Sequence, residues 1–131
     1  MISVIIVAHN VLAQALISSA EMILGKQENL FAIDLNESDS PDLLKDKIIR
    51  VLNNIPDTSE ILVFTDIPSG TPFNTTVMLS KEYKFMHISG VNLPLLLEAC
   101  TSREYLSLDE LSKNLMNMST ESIVNVNDLF K

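Results

Sequence analysis

Some residue types are scarce in this chain, and their scarcity restricts what it can bind. Its 131 residues include no tryptophan and one cysteine, and aromatic side chains make up only 5%. Nine lysines and arginines stand against seventeen acidic residues, which leaves a formal net charge of −8. Proteins that follow a nucleic acid backbone or an anionic membrane surface use clustered positive charge. The composition therefore argues against both and leaves a small molecule or another protein as the partner.

The lone Cys100 and the chain start both bear on location. Cys100 has no second cysteine with which to form an internal disulfide, and it lies in an apolar helical pattern that indicates a packing role. The first ten residues are apolar, but they carry no basic segment ahead of them and no small-residue cleavage site after them. We therefore expect a cytoplasmic protein that forms one domain, 1–131, without direct membrane insertion.

Hydrophobic patterns typical of strands and helices alternate along the chain. Strands are predicted at 3–8, 30–35, 61–65, 84–89 and 122–126. Helices are predicted between them, and proline starts, serine caps or apolar stripes mark where they begin. This order predicts a single-domain α/β fold with a doubly wound, mostly parallel sheet and helices on both faces.

Two helices carry more detailed predictions. The third helix should use Thr71 as its N-cap and Pro72 as its first residue. The first helix should bury a stripe at helical spacing, made of Leu12, Leu16, Ala20, Ile23 and Leu24.

Polar residues follow two of the predicted strands. His9 lies in the turn after the first strand, and Asp66 follows the third strand, just before Ser69, Gly70 and Thr71. Ligands bind at this edge of an open α/β sheet. A histidine that acts as a nucleophile with one ring nitrogen needs an acceptor for the other, and Asp66 could supply it. The helix start at Thr71 could then hold the oxygens of a phosphoryl group passing onto the free nitrogen.

Other interpretations of these residues stay open. His9 could be a loop histidine bonded to a nearby carbonyl, and any capped helix offers the donors of the 69–71 turn. A receiver-like regulatory module would instead be phosphorylated on Asp66. Such a module needs an acidic pair after the first strand to hold a divalent metal, and a lysine after the last. Here these positions hold His9–Asn10 and Val126–Asn127.

The second histidine, His87, lies within the pattern of the fourth strand, and we interpret it as structural. A metal site formed by His9, His87 and Cys100 is a weak alternative, because two of the three lie inside apolar patterns. We therefore expect neither a metal nor a cofactor.

Blocks spread over essentially the whole chain carry a family resemblance. The chain resembles the IIA component of the mannose, fructose and sorbose family of the bacterial phosphotransferase system. The blocks are Ala8-His9, residues 20–25, Thr65-Asp66, residues 70–74 and residues 90–94, of which the last two together are rather specific.

The resemblance implies a phosphotransferase in which a histidine takes a phosphoryl group from the phosphocarrier HPr and gives it to a IIB component. Carried over by position, His9 matches the phosphorylated histidine, Asp66 its orienting acid, and Thr71 the hydroxyl near the phosphate. It also implies a homodimer in which C-terminal segments cross between subunits, which would here involve the predicted strand 122–126. A related domain that serves dihydroxyacetone kinase stays open as an alternative.

Two positions depart from the family pattern. Asn10 and Ser69 stand where the family usually has small, glycine-type residues. Asparagine tolerates a left-handed backbone and serine is small, so we expect the local geometry to survive.

Overall fold

The computed structural model describes residues 1–130, which form a single α/β domain. Four parallel strands pair in the order β2-β1-β3-β4. They are β1 (Ser3–His9), β2 (Leu30–Leu35), β3 (Ile61–Thr65) and β4 (Met86–Ser89). The helices are α1 (Leu12–Leu24), α2 (Pro41–Asn53), α3 (Gly70–Leu79), α4 (Leu93–Ser102) and α5 (Leu108–Met118). The predicted fold class is confirmed, although β4 begins two residues later than 84.

Helices cover both faces of the sheet. On one face, α1, α4 and α5 bury side chains such as Ile6 and Phe64. On the other face, α2 and α3 bury Val7 and Val63. Successive side chains of a strand point to opposite faces, so both faces of the central strands are apolar. This is why β1 and β3 appear in the sequence as nearly continuous apolar runs.

Side chains cap three of the helices at their N-terminal ends. Ser40 before α2 and Asn92 before α4 each accept a backbone N–H of the first turn. Ser107 and Glu110 form the predicted capping box of α5. Such a cap contributes about 1 kcal/mol to helix stability.

The buried face of α1 differs from the predicted stripe. Of that stripe, Leu12 and Ile23 are exposed, and Leu16 and Leu24 are only partly buried. The fully buried side chains of α1 are Ala13, Ile17 and Ala20. Alanines on this face let the helix lie close to the sheet, which turns the larger residues toward the flanks.

The fifth strand predicted over Ser122–Val126 is wrong. Within residues 1–130 this segment pairs with no strand, and it lies between two short 3-10 helices, Ser119–Ser122 and Val126–Phe130. Ile123 has extended dihedral angles, φ −118° and ψ 124°, but its side chain is 81% exposed. A β-branched alternating pattern gives a segment the capacity to pair, but tertiary contacts decide whether it does.

Candidate functional site

His9 and Asp66 lie beside each other at the carboxyl edge of the sheet. β1 and β3 are paired with Val7 opposite Thr65, so the residues that follow also come together. The chain runs outward from β1 to β2 and then crosses to β3 on the other side of β1, which reverses the strand order at this boundary. Such a switch point is where open α/β sheets bind their ligands.

Asp66 holds His9 through one of its carboxylate oxygens. Its Oδ2 accepts the backbone N–H of His9 at 2.9 Å and lies 2.7 Å from Nδ1 of the ring. Its Oδ1 accepts the backbone N–H of Ile67 at 3.0 Å. An ionised carboxylate can only accept, so Nδ1 carries a hydrogen, and in the neutral ring Nε2 presents its lone pair. Asp66 thus fixes both the tautomer and the orientation of the ring.

The two side chains differ in exposure, with Asp66 8% exposed and His9 47% exposed. Burial alone raises the pKa of Asp66, but hydrogen bonds from the backbone and ring of His9 and from Ile67 lower this pKa below its usual value. A carboxylate whose pKa is lowered by folding stabilises the fold above its unfolded pKa, about 4. That stabilisation is lost as the pH falls through the folded-state pKa.

The turn before α3 lies against the free edge of the His9 ring. Gly70 has a left-handed φ of +87°, and a methyl group on its Cα would lie 3.6 Å from Cε1 and 3.7 Å from Nε2 of His9. Glycine permits this backbone conformation and leaves the space beside Nε2 open. The structure therefore brings the predicted 69–71 turn to the predicted histidine.

The start of α3 differs from the prediction. The helix begins at Gly70 with Ser69 in the N-cap position, and Thr71 and Pro72 both lie within its first turn. Proline is tolerated throughout that turn because the first N–H groups of a helix have no helical partner.

The two helices that begin near His9 lack a capping side chain. Within residues 1–130, neither Val11 before α1 nor Ser69 before α3 has its side chain bonded to the helix start. The helices α2, α4 and α5, by contrast, are capped. Uncapped N–H groups together with the positive end of the helix dipole favour an anion at the start of α3.

An open cleft of about 450 Å³ lies beside His9, and its lining includes Asn10, Glu37 and Thr71. Asn10 adopts the left-handed backbone expected of it, with φ +56°. Thr71 therefore lines the same cleft as the His9 ring.

Comparison with known proteins gives the family. The family model "PTS system fructose IIA component" matches residues 3–116, which is most of the chain. The chain belongs to this IIA family. It is thereby a component of a sugar phosphotransferase system, with a transferase role.

Two curated relatives of this IIA component match it over most of their own length. The fructose-specific EIIA component of Bacillus subtilis (strain 168) is 40% identical over 123 residues, 93% of this chain and 84% of the relative. The sorbose-specific EIIA component of Lacticaseibacillus casei is 32% identical over 119 residues, 90% of this chain and 86% of the relative. The crystal structure of EIIA from Streptococcus agalactiae superposes with a TM-score of 0.90, at 36% identity over 98% of this chain and 99% of that one.

The other chemically versatile residues of the IIA component lie elsewhere. Cys100 lies on the buried face of α4, and burial raises the pKa of its thiol, which fits a packing role. His87 lies on the other face of the sheet from Cys100, the face that α3 covers. Its Nε2 is 2.8 Å from Thr65 Oγ1. Within residues 1–130, no three His, Cys, Asp or Glu side chains are grouped to hold a metal ion, and no helix is long and apolar enough to cross a membrane.

The loop after β2 is the part of the site that sequence reasoning missed. β2 pairs with β1 so that Leu35 lies opposite His9, and the following residues, including Glu37, therefore form one wall of the cleft. The acidic composition of this loop was visible in the sequence. Its position depended on which strand pairs with β1, and the order of strands along the chain does not specify that.

Proposed function

We propose that this IIA component accepts a phosphoryl group on Nε2 of His9 from phosphorylated HPr and passes it to a IIB component. The observation that supports this most directly is that Asp66 Oδ2 accepts two hydrogen bonds, from the backbone N–H and the Nδ1–H of His9, which leaves Nε2 free beside Gly70. In the first transfer a P–N bond of the donor breaks and a P–N bond to Nε2 forms. In the second transfer that P–N bond breaks while the acceptor side chain of the IIB component forms a new bond to phosphorus, so no water is consumed in either step.

Asp66 would act on the charge that develops during transfer. As the Nε2 lone pair attacks phosphorus, positive charge spreads over the ring, and the carboxylate at Nδ1 stabilises it. The oxygens of the phosphoryl group would be held at the start of α3 by Ser69, Gly70 and Thr71. Positioning and charge stabilisation supply most of the catalysis in such a transfer.

The rim of the site suits a protein as donor and acceptor. Val11, Leu12 and Ile67 flank His9 and Asp66 in the chain, and their side chains are 57%, 41% and 48% exposed. Exposed apolar side chains around a polar centre are typical of a surface that another protein covers. HPr and IIB would cover His9 in turn, in the cytoplasm, and the transported sugar would contact other components of the system.

The chemical stability of the phosphorylated protein tests which atom carries the group. A phosphoramidate on His9 should be lost in acid and survive in base, whereas an acyl phosphate on Asp66 should be cleaved by base and by hydroxylamine. Both oxygens of Asp66 already accept hydrogen bonds, which makes that carboxylate a poor acceptor for phosphorus. The protein is labelled from phosphorylated HPr and the label is followed under each treatment. A hydroxylamine-sensitive, base-labile product would favour the receiver-like alternative.

We also propose that the protein is a homodimer in which the segment after Ser122 reaches the partner. An exposed run of this kind, with an extended backbone at Ile123, could add to a sheet edge of a second copy. Its apolar side chains are 54–81% exposed, namely Ile123, Val124, Val126, Leu129 and Phe130. Several exposed apolar side chains within one short segment are typical of an interaction surface.

Deleting the chain from Ile123 onward should abolish the dimer and leave a monomeric or aggregating protein. Sedimentation at micromolar concentration measures the masses of the wild type and the deletion. The substitution Val77→Ser on α3 serves as a control, because it removes an exposed apolar side chain outside the segment and should leave the dimer intact. A wild-type protein that sediments as a folded monomer would contradict the proposal.

A further inference from the structure

His87 contacts both segments that carry the candidate site. Its Nε2 lies 2.8 Å from Oγ1 of Thr65, the residue immediately before Asp66. Its ring lies against Phe73 in the first turns of α3, with ring centroids 5.3 Å apart and planes at 46°. Phe73 follows Gly70 by three residues. His87 therefore connects the strand end that presents Asp66 to the helix start that lies beside Nε2 of His9.

We propose that His87 is a positioning residue for phosphoryl transfer, setting the first turn of α3 at its distance from the His9–Asp66 pair. This inference rests on the proposed function of His9. His87 lies outside the site and would align its two parts, the His9–Asp66 pair and the start of α3.

The anchoring of Thr65 supports this role. Its carbonyl oxygen accepts the N–H groups of Gly90 at 2.9 Å and Val91 at 3.1 Å, and its hydroxyl is bonded to His87. The end of β3 is thus fixed to β4 through both backbone and side chain. The start of α3 has no capping side chain of its own, so the contact between Phe73 and His87 is a means by which it is held.

The surface beneath α3 is more polar than stability favours. Thr65 and Thr76 are fully buried, and Ser89 lies beside Thr65 in the sheet. In the described part of the chain, the hydroxyls of Thr76 and Ser89 are buried without hydrogen-bond partners. A buried hydroxyl without a partner destabilises the fold relative to one that is hydrogen-bonded. These unpaired hydroxyls lie on the buried side of α3, the helix that begins at the candidate anion site. Proteins depart from stable packing in this way mainly at functional sites, so we infer that function sets the position of α3.

The protonation state of His87 suits a fixed contact. Burial lowers the pKa of its ring, so the ring is neutral at pH 7. A neutral ring can keep one hydrogen bond to Thr65 without adding a charge close to the transferred group.

Paired substitutions separate positioning from stability. His87→Phe keeps a ring beside Phe73 but removes the bond to Thr65, and Thr65→Val removes the same bond from the other side. Each single variant leaves a polar group without its partner and should melt at a lower temperature. The double variant replaces both partners by apolar groups and should recover most of the melting temperature. Its transfer rate should nevertheless stay about tenfold below wild type, since small displacements at a reacting site are costly.

The readout is the rate of label uptake from phosphorylated HPr, measured over a range of HPr concentrations. The loss should lie mainly in the maximal rate and not in the half-saturating concentration. His87→Gln can still form a hydrogen bond to Thr65, so its transfer rate should lie between those of His87→Phe and the wild type. Tyr83→Phe removes a comparable bond, from the Tyr83 hydroxyl to Asn53 Oδ1 at 3.3 Å, and should transfer at the wild-type rate.

The outcomes distinguish two failures. If the wild-type protein takes up no label, the proposed function fails. If the wild type takes up label and the double variant does so equally fast, only the role of His87 is overturned. A rate that simply follows melting temperature across the four variants would also overturn it, because His87 would then be structural alone.

Discussion

Replacing His9 by alanine should abolish phosphoryl acceptance and leave the fold intact. The ring supplies the only proposed nucleophilic atom, so label from phosphorylated HPr should fall to background. The fold should tolerate the change because the ring is half exposed at a strand end. The bond from the His9 backbone N–H to Asp66 also survives the substitution. We expect a change in unfolding free energy within about 1 kcal/mol.

Label incorporation and a thermal melt on the same preparation check this prediction together. His87→Gln serves as the matched control, since it removes the other histidine of the chain and should still accept label. Incorporation into His9→Ala at the wild-type rate would place the acceptor on another residue and would end the proposal.

Asp66→Asn should slow transfer by about 10- to 100-fold without removing the acceptor. The substitution removes the charge that stabilises the ring as it becomes positive, and hydrogen bonds to charged groups are worth about 1.5–3 kcal/mol. The amide in Asp66→Asn would also have only one acceptor oxygen, whereas both oxygens of the Asp66 carboxylate accept backbone hydrogen bonds. Whichever way it turns, its NH2 group must face the backbone N–H of either His9 or Ile67.

The same mismatch predicts a loss of stability. The Asp66 side chain is 8% exposed, but the bonds that it accepts lie at the surface, so leaving the N–H of His9 or Ile67 without its partner should lower the unfolding free energy by about 1 kcal/mol at neutral pH. The difference from wild type should shrink as the pH falls below about 4, where the wild-type carboxylate loses its own contribution. Single-turnover rates and melts at several pH values measure the two effects.

Glu98→Gln is the matched control for charge removal. Glu98 accepts hydrogen bonds from Ser102 and Asn114 on α4 and α5, away from His9. It should lose some stability and transfer at the wild-type rate. If Asp66→Asn also kept the wild-type rate, Asp66 would have no part in the transfer.

The best sequence predictions were those in which local chemistry and fold agree. β2 and β3 have the predicted bounds because polar turn residues bracket each apolar run. The meeting of His9 and Asp66 was predictable because the carboxyl ends of parallel strands share one edge of the sheet. Which ring nitrogen of His9 is left free could not be predicted from the sequence, because it depends on the positions of individual atoms.

The failures occurred where tertiary contacts decide the outcome. The stripe on α1 was predicted from helical spacing and contained the buried Ala20, but Ala13 and Ile17 are the other residues of that helix that face the sheet. The pattern at 122–126 shows strand propensity but cannot show whether a neighbouring strand exists. Glu37 reaches the cleft only because β2 is the strand beside β1.

The openness of the cleft at His9 bears on the lifetime of a loaded carrier. Enzymes that must keep water away from a reactive group close over it. Here nearly half of the ring surface is exposed, so each visiting protein would itself provide the cover while it is docked. Between visits, survival of the phosphoryl group would depend on the intrinsic hydrolysis rate of its P–N bond. If the proposed transfer holds, flux through such a carrier would be governed by how quickly the next partner arrives, and so by the abundance of the partners.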